Sequence, residues 1–317
     1  YRYRWRELVY GLTRVGKGRV IFTFLLFLQC FIVLTGGIVR ITGSGLGCPT
    51  WPECAPGSFT PSPYQDESPL HAWIEFANRL LTFLLGFVAL VAVIYAIAFI
   101  PLKRVRALAG LQLLGIIAQA ILGGITVLTG LHPSTVVAHL LVSILLIAGA
   151  LSLRQRVYGA IPRADQPTLL TARLLKALVT VGFTVVVMGS IVTGTGPHSG
   201  DSDSSRFSFD LRTVAWVHAD IVIFFIGLLI ATLIAIHLGE TGATRTALVQ
   251  KIYWVIALSF GQGAIGYLQW FTGVPEFLVA LHLIGAVSVW LSLWNLYITG
   301  SVTSSPSGSK GAQYRVE

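Results

Sequence analysis

Three histidines stand at matching places in this chain. His139, His218 and His282 each fall near the start of a long apolar run, and a fourth run carries Glu75, Asn78 and Arg79 at the corresponding depth. A single imidazole in such a setting is more often a packed, hydrogen-bonded core residue than a ligand. Two of them at equal depth on alternate runs favour the ligand reading. His218 and His282 can face each other across a helical bundle, which suits opposite faces of a haem, with Gly, Ala and Leu around the ring edge. Other metals fit worse. The sequence has no His pair at i, i+4 and no carboxylate triad. A structural zinc would need four closed ligands, and without C-x-x-C-H covalent haem attachment is unsupported.

The first half differs. His139 has no histidine partner, and the matching position reads Asn78 or the adjacent Ala77, a register the sequence leaves open. An amide is a poor ligand for haem iron. One half could thus hold a six-coordinate iron, which only moves electrons, beside an iron with an open face, which can bind and activate oxygen. Glu75 lies one turn from Asn78, where a carboxylate can handle protons or stabilise a cation formed at the haem edge. The alternative is a structural ion pair with Arg79 at i, i+4, which neutralises charge where each one in hydrocarbon costs roughly 2.5 kcal/mol or more. Arg79 is also a candidate for a haem propionate. Asp220, two residues after His218, reads as a second buried acid that orients His218 or meets a propionate. His132, His198 and His237 read as surface residues.

These groups need long helices to hold them. The 317 residues are 54% hydrophobic and 11% charged, with a mean hydropathy of +0.76, whereas a soluble domain carries about 25% charged residues. The composition is that of an all-α integral membrane protein. Eight apolar segments lie near 20–39, 72–100, 107–128, 136–153, 174–194, 213–237, 252–272 and 278–299. Each can cross a core of about 30 Å at about 1.5 Å per residue. The first lacks a small-residue cleavage site and reads as a span, not a signal peptide. The net charge of +9 invites a nucleic-acid reading. The positions of the charges argue against it. With the N-terminus inside, every one of the 22 Lys and Arg except Arg40, Arg79, Arg206 and Arg212 falls on the cytoplasmic side. That bias implies a multi-pass protein of the plasma membrane with both termini cytoplasmic, whose surroundings are the lipid bilayer and not a nucleic acid.

The chain reads as two copies of one unit. "AQAILGGITVLTGLHPSTVVAH" (118–139) aligns without a gap with "GQGAIGYLQWFTGVPEFLVALH" (261–282), matching Gln119 to Gln262, Gly123 to Gly266 and His139 to His282. "GGIVRITG" (36–43) matches "GSIVTGTG" (189–196) in the same way. Four spans per copy is an even number, so both copies enter the membrane in one direction. A pseudo-two-fold axis along the membrane normal then relates two four-helix bundles. The expected divisions are a basic cytoplasmic N-terminus (1–19), an N-terminal bundle with the substrate site (20–153), a cytoplasmic linker (154–173), a C-terminal bundle (174–299) and a Ser/Gly-rich disordered tail (300–317).

"GSGLGCPTWPEC" sets Cys48 and Cys54 in the first outer loop. That side is oxidising, so a disulfide is expected, either as a loop staple or as a pair that exchanges electrons with a partner. Cys30 lies mid-span and reads as a small buried hydrophobe.

With these residues on the page, the chain resembles the haem A synthases. The likeness covers roughly residues 20–300 and rests on the doubled four-helix unit, "TGSGLGCPTWPEC" after the first span, "IEFANR" in the second, and the His of spans four, six and eight. Lacking a second Cys pair, it resembles the actinobacterial type. The resemblance implies a haem b in the C-terminal half on His218 and His282, and haem O bound at His139 beside Glu75. It implies successive oxidation of one porphyrin methyl group to a formyl group, giving haem A for cytochrome oxidase assembly. Haem O would come from haem O synthase, and electrons from an unidentified donor. Many members have Glu-x-x-His-Arg where this chain has Glu75, Asn78 and Arg79. The loop after span five, "GTGPHSGDSDSSRFSFD", leaves any redox duty to Cys48 and Cys54.

Two other classes compete. A membrane di-haem b-type cytochrome would carry electrons without oxygenation chemistry. A transporter with parallel repeats would place polar groups near mid-membrane, whereas the polar residues here cluster toward the outer face. The sequence leaves a homo-oligomer open.

Overall fold

The computed structural model describes residues 2–63, 67–158 and 166–301. Part of the expected linker (159–165) and the expected disordered tail beyond 301 lie outside the described residues. Eight helices follow one another: α1 (Arg2–Ile41), α2 (Pro69–Phe99), α3 (Lys103–Leu128), α4 (Pro133–Tyr158), α5 (Leu169–Thr195), α6 (Leu211–Gly239), α7 (Gly242–Phe271) and α8 (Glu276–Ser301). Seven are long and apolar enough to cross a membrane. The exception is α7, whose apolar character is diluted by Arg245, Gln250, Lys251, Gln262 and Gln269. Topology makes it cross all the same. The starts of α6 and α8 lie at one end of the molecule, where His218 and His282 are within electrostatic range of each other. The chain must return between them through the 30 residues of α7, about 45 Å of helix.

The outside of this assembly is apolar. Phe83, Phe87, Leu114, Ile117, Phe224, Trp254 and Phe260 are all exposed. Such a surface is a liability in water and is what acyl chains require, while helices satisfy every backbone group internally. The chain is an all-α integral membrane protein.

The helices pack as two squares. α1 to α4 touch in sequence order and α1 closes on α4; α5 to α8 do the same. α2 and α4 are therefore diagonal in one square, and α6 and α8 in the other. The squares meet along α1, α4, α5 and α8. An apolar cluster crosses this seam from Ile144 and Ile147 to Trp290 and Leu293. The Trp290 indole donates to the Ile144 carbonyl at 2.9 Å, and the Trp294 indole donates to Ser152 Oγ at 2.8 Å.

The duplication extends to strained backbone. α3 and α7 both end in a Thr-Gly-X turn, Thr129–Gly130–Leu131 and Thr272–Gly273–Val274. Leu131 and Val274 take φ of 57° and 60°, and the preceding glycines 59° and 79°. A non-glycine residue there costs about 1–3 kcal/mol. Both turns are held by Leu131 N–H donating to the Thr126 carbonyl and Val274 N–H to the Gln269 carbonyl. They deliver the chain into α4 and α8 at the same register, which is how His139 and His282 come to equivalent places.

Candidate functional site

Each histidine lies against a glycine of the preceding helix. A Cβ on Gly123 (α3) would come within 3.3 Å of His139 Cε1, one on Gly266 (α7) within 3.3 Å of His282 Cε1, and one on Gly189 (α5) within 3.1 Å of His218 Cε1. The fourth place has the same form: Gly36 (α1) faces Asn78 Nδ2 at 3.9 Å. Asn78 is half-buried and its Oδ1 accepts from Thr35 Oγ1 at 2.7 Å, whereas Ala77 is exposed. The structure thus puts Asn78, not Ala77, in the position that His218 has in the second half. Both diagonals, Asn78 with His139 and His218 with His282, carry their polar groups on even-numbered helices.

The rings of His139 and His282 are not consumed by the protein, and His218 has a backbone partner at Val185. Nδ1 of His139, His218 and His282 is buried without a hydrogen bond. An unsatisfied buried polar atom costs about 1–3 kcal/mol, so three of them at repeated positions form a donor set awaiting a partner. Imidazole is a common axial ligand of haem iron, so the donor chemistry of these residues fits a haem.

Two glutamines brace the histidine helices. Gln119 Nε2 donates to the His139 carbonyl at 2.9 Å and to Ser143 Oγ; Gln262 Nε2 donates to the His282 carbonyl at 2.6 Å. The sequence showed these glutamines as a repeat identity but gave them no role. A second feature escaped notice. Gln29 Nε2 donates to Gln112 Oε1 at 3.0 Å, and Gln112 Nε2 to the Leu146 carbonyl at 3.1 Å, all buried deep in the first half. Polar groups are therefore not confined to the histidine end.

Glu75 is 5% exposed and belongs to the first half. Its Oε2 accepts from the Cys48 N–H at 2.7 Å, and its Oε1 accepts from Arg79 Nε at 3.0 Å and Nη2 at 2.5 Å. Arg79 also donates to the carbonyls of Cys48 (2.7 Å), Thr50 (3.0 Å) and Glu53 (3.0 Å). A guanidinium has five N–H donors, and these bonds use all five. Cys48 and Cys54 form a disulfide within this loop and are fully buried.

Other residues fall elsewhere. Asp220 is exposed, contrary to its reading as a buried acid: two residues advance a helix by about 200°, so it leaves the opposite side of α6 from His218. His132 and His237 are exposed. His198 is more than surface, since its Nε2 bonds the Val274 carbonyl at 2.8 Å and its own carbonyl accepts from Arg40. Cys30 is free and partly buried against the seam cluster.

Comparison with known proteins gives the family. A family model described as cytochrome oxidase assembly protein matches residues 19–198. The protein named "Heme A synthase" in Lysinibacillus sphaericus is 29% identical over 170 residues, 52% of this chain and 54% of the relative. Its namesake in Bacillus cereus is 29% identical over 172 residues, 53% of each. That of Geobacillus thermodenitrificans is 28% identical over 123 residues, 38% of this chain and 35% of the relative. The chain thus spans about half the length of the curated relatives it matches. The family match takes in Glu75, the disulfide loop and His139 and stops short of His218 and His282. With more than half of its residues so matched, the chain belongs to the cytochrome oxidase assembly protein family.

Proposed function

We propose that this chain is a haem A synthase: it oxidises a methyl group of haem O to a formyl group, giving haem A for cytochrome oxidase. The observation that carries this reading is the asymmetry between equivalent sites. The second half carries His218 and His282 on diagonal helices, while the first half carries His139 and Asn78 on the equivalent helices and adds a buried glutamate one turn from Asn78. The names of the relatives point the same way.

His218 and His282 would hold a haem b in the C-terminal half. Bound there, it would supply electron transfer, since two imidazoles leave no open face. His139 would bind the substrate haem O from one side, with Asn78 too weak a ligand to close the other. Gln119 and Gln262 keep the two ligand helices in register through the carbonyls of His139 and His282. Glu75 would place a carboxyl group beside the substrate site. In its ionised form that group can stabilise a cation formed at the substrate edge or receive a proton released there. The apolar surroundings exclude water and strengthen both effects. Haem O synthase would supply the substrate and an electron donor the reducing equivalents. The charge bias of the links supports a plasma-membrane protein with both termini cytoplasmic, and the histidine end on the outer side.

The test is extraction and mass analysis of haems from the protein purified from cells that make haem O. The wild type should yield haem b and haem A. Glu75→Ala should yield haem b and unconverted haem O. Haem A from that variant would remove Glu75 from the chemistry. Loss of carbon monoxide binding to the reduced wild-type first-half haem would favour an electron carrier instead.

A further inference from the structure

The carboxylate and the disulfide loop, two separate features in the sequence, are one unit in the structure. Every strong acceptor site of Glu75 faces the loop or its clamp: Oε2 takes the Cys48 N–H, and Oε1 takes two Arg79 donors. Arg79 spends its other three donors on the carbonyls of Cys48, Thr50 and Glu53, which lie within or beside the disulfide ring. The loop is pressed down on α2. A Cβ at Gly47 would come within 2.4 Å of the His71 carbonyl oxygen. It is braced internally as well, by Thr50 Oγ1 donating to the Glu53 carbonyl at 2.8 Å and by Gly57 N–H donating to Glu53 Oε2 at 2.9 Å. Trp51 extends the cover to α3, where its ring occupies the space a Cβ of Gly124 would need.

We propose that Arg79 is a positioning residue that seats the Cys48–Cys54 loop as a cover over Glu75, and that opening the disulfide uncovers the carboxylate. The step is thiol–disulfide exchange with a dithiol reductant, which reaches the sulfurs, buried while the loop is closed, as the loop transiently lifts from α2. Its two S–H groups give two electrons and two protons to the sulfurs of Cys48 and Cys54. Their S–S bond breaks and a new S–S bond forms in the reductant. The freed chain between 48 and 54 gains conformational freedom. The Cys48 N–H and the three loop carbonyls then leave Glu75 and Arg79. A lysine could keep the charge of Arg79 but not its five-donor fork. The inference deepens the proposed function, on which it rests only for the role of Glu75 in turnover.

Dicyclohexylcarbodiimide, an apolar reagent that adds to buried carboxyl groups, reads the cover directly. The full chain in detergent is labelled oxidised and after treatment with a dithiol, and adducts are quantified by peptide mass spectrometry. Labelling at Glu75 should rise roughly tenfold on reduction, because a charge-assisted hydrogen bond separates the closed from the open state. Glu240, buried at the far end of α6, should not change. Arg79→Lys should label at Glu75 even when oxidised. Equal labelling of Glu75 in both redox states overturns the proposal, as does a matching rise at Glu240, which would mean general loosening. An oxidised Arg79→Lys protein that resists the reagent as the wild type does would also overturn it. Reduction of the wild type needs no variant to fold. The labelling reads no haem product, so its failure leaves the proposed oxidation standing, and failure of the oxidation leaves the labelling result intact.

Discussion

Arg40 donates from Nη2 to the carbonyl of Thr193 at 2.7 Å, and Thr193 is the residue that occupies the place of Arg40 in the second copy of the repeat. A group that bonds its own counterpart must lie close to the axis relating the copies. The same guanidinium donates from Nε to the His198 carbonyl at 2.5 Å, and Gly45 N–H donates to the Gly200 carbonyl at 2.8 Å. The first loop and the loop after α5 are thereby tied over the seam. His198 passes the tie on to Val274, at the strained turn before α8. Polar contacts at the disulfide end of the protein thus join the two bundles across the seam.

Arg40→Met should therefore loosen the seam. It keeps most of the apolar stem but leaves the Thr193 and His198 carbonyls without a charged donor, a loss of about 2–4 kcal/mol. Thermal unfolding in detergent should show a lower midpoint. Thr193→Ala retains the accepting carbonyl and should match the wild type. An unchanged midpoint in Arg40→Met would mean that the apolar seam alone holds the halves together.

Asn78→His should complete the missing diagonal pair. Asn78 faces Gly36 as His218 faces Gly189, so an imidazole there should meet, opposite His139, the iron of the haem proposed for the first half. The expected result is additional low-spin absorbance and loss of carbon monoxide binding by the reduced protein. Retained carbon monoxide binding would show that the two half-sites are not equivalent in depth.

Much of this was legible in the sequence, and the failures have one cause. Apolar run length gave the eight helices, because a bilayer sets a minimum span. The apolar run at 252–272 marked α7 although its Gln, Lys and Arg residues dilute the hydropathy of the helix as a whole. Spacing gave the Glu75–Arg79 pair. Facing was what could not be read. In a soluble helix a polar stripe marks the outside, but here both the lipid side and the packed side are apolar. Asp220, inside an apolar run, reads as buried for that reason although it is exposed, and only the packing of Gly36 against Asn78 decides between Ala77 and Asn78. The remaining Arg79 donors were equally hidden, since their partners are carbonyls of an irregular loop without periodicity.

Gly266→Ala tests whether the glycines make room for the rings. Its Cβ would sit 3.3 Å from His282 Cε1, closer than ordinary contact, so the imidazole must shift by a few tenths of an ångström. The low-spin electron paramagnetic signal of the haem proposed for the second half should move or broaden. Gly227→Ala, with open space around the new methyl, should leave that signal alone and stabilise the helix by up to about 1 kcal/mol. Identical signals in both variants would remove the glycine contact from the ligand geometry.

Gln262→Leu addresses the brace behind the same ligand. Gln262 Nε2 reaches the His282 carbonyl at 2.6 Å, and its side chain fills the space a Cβ of Gly285 would take. Leucine keeps the bulk and loses the donor, at a cost of about 1 kcal/mol in stability. If the bond fixes the rotation of α8, the midpoint potential of the second-half haem should change along with its low-spin spectrum. Gln119→Leu should instead leave that potential unchanged and affect only the first-half pigment, because Gln119 bonds the His139 carbonyl. A potential that ignores Gln262 would reduce the brace to helix packing, and the orientation of His282 would then rest on Gly266 alone.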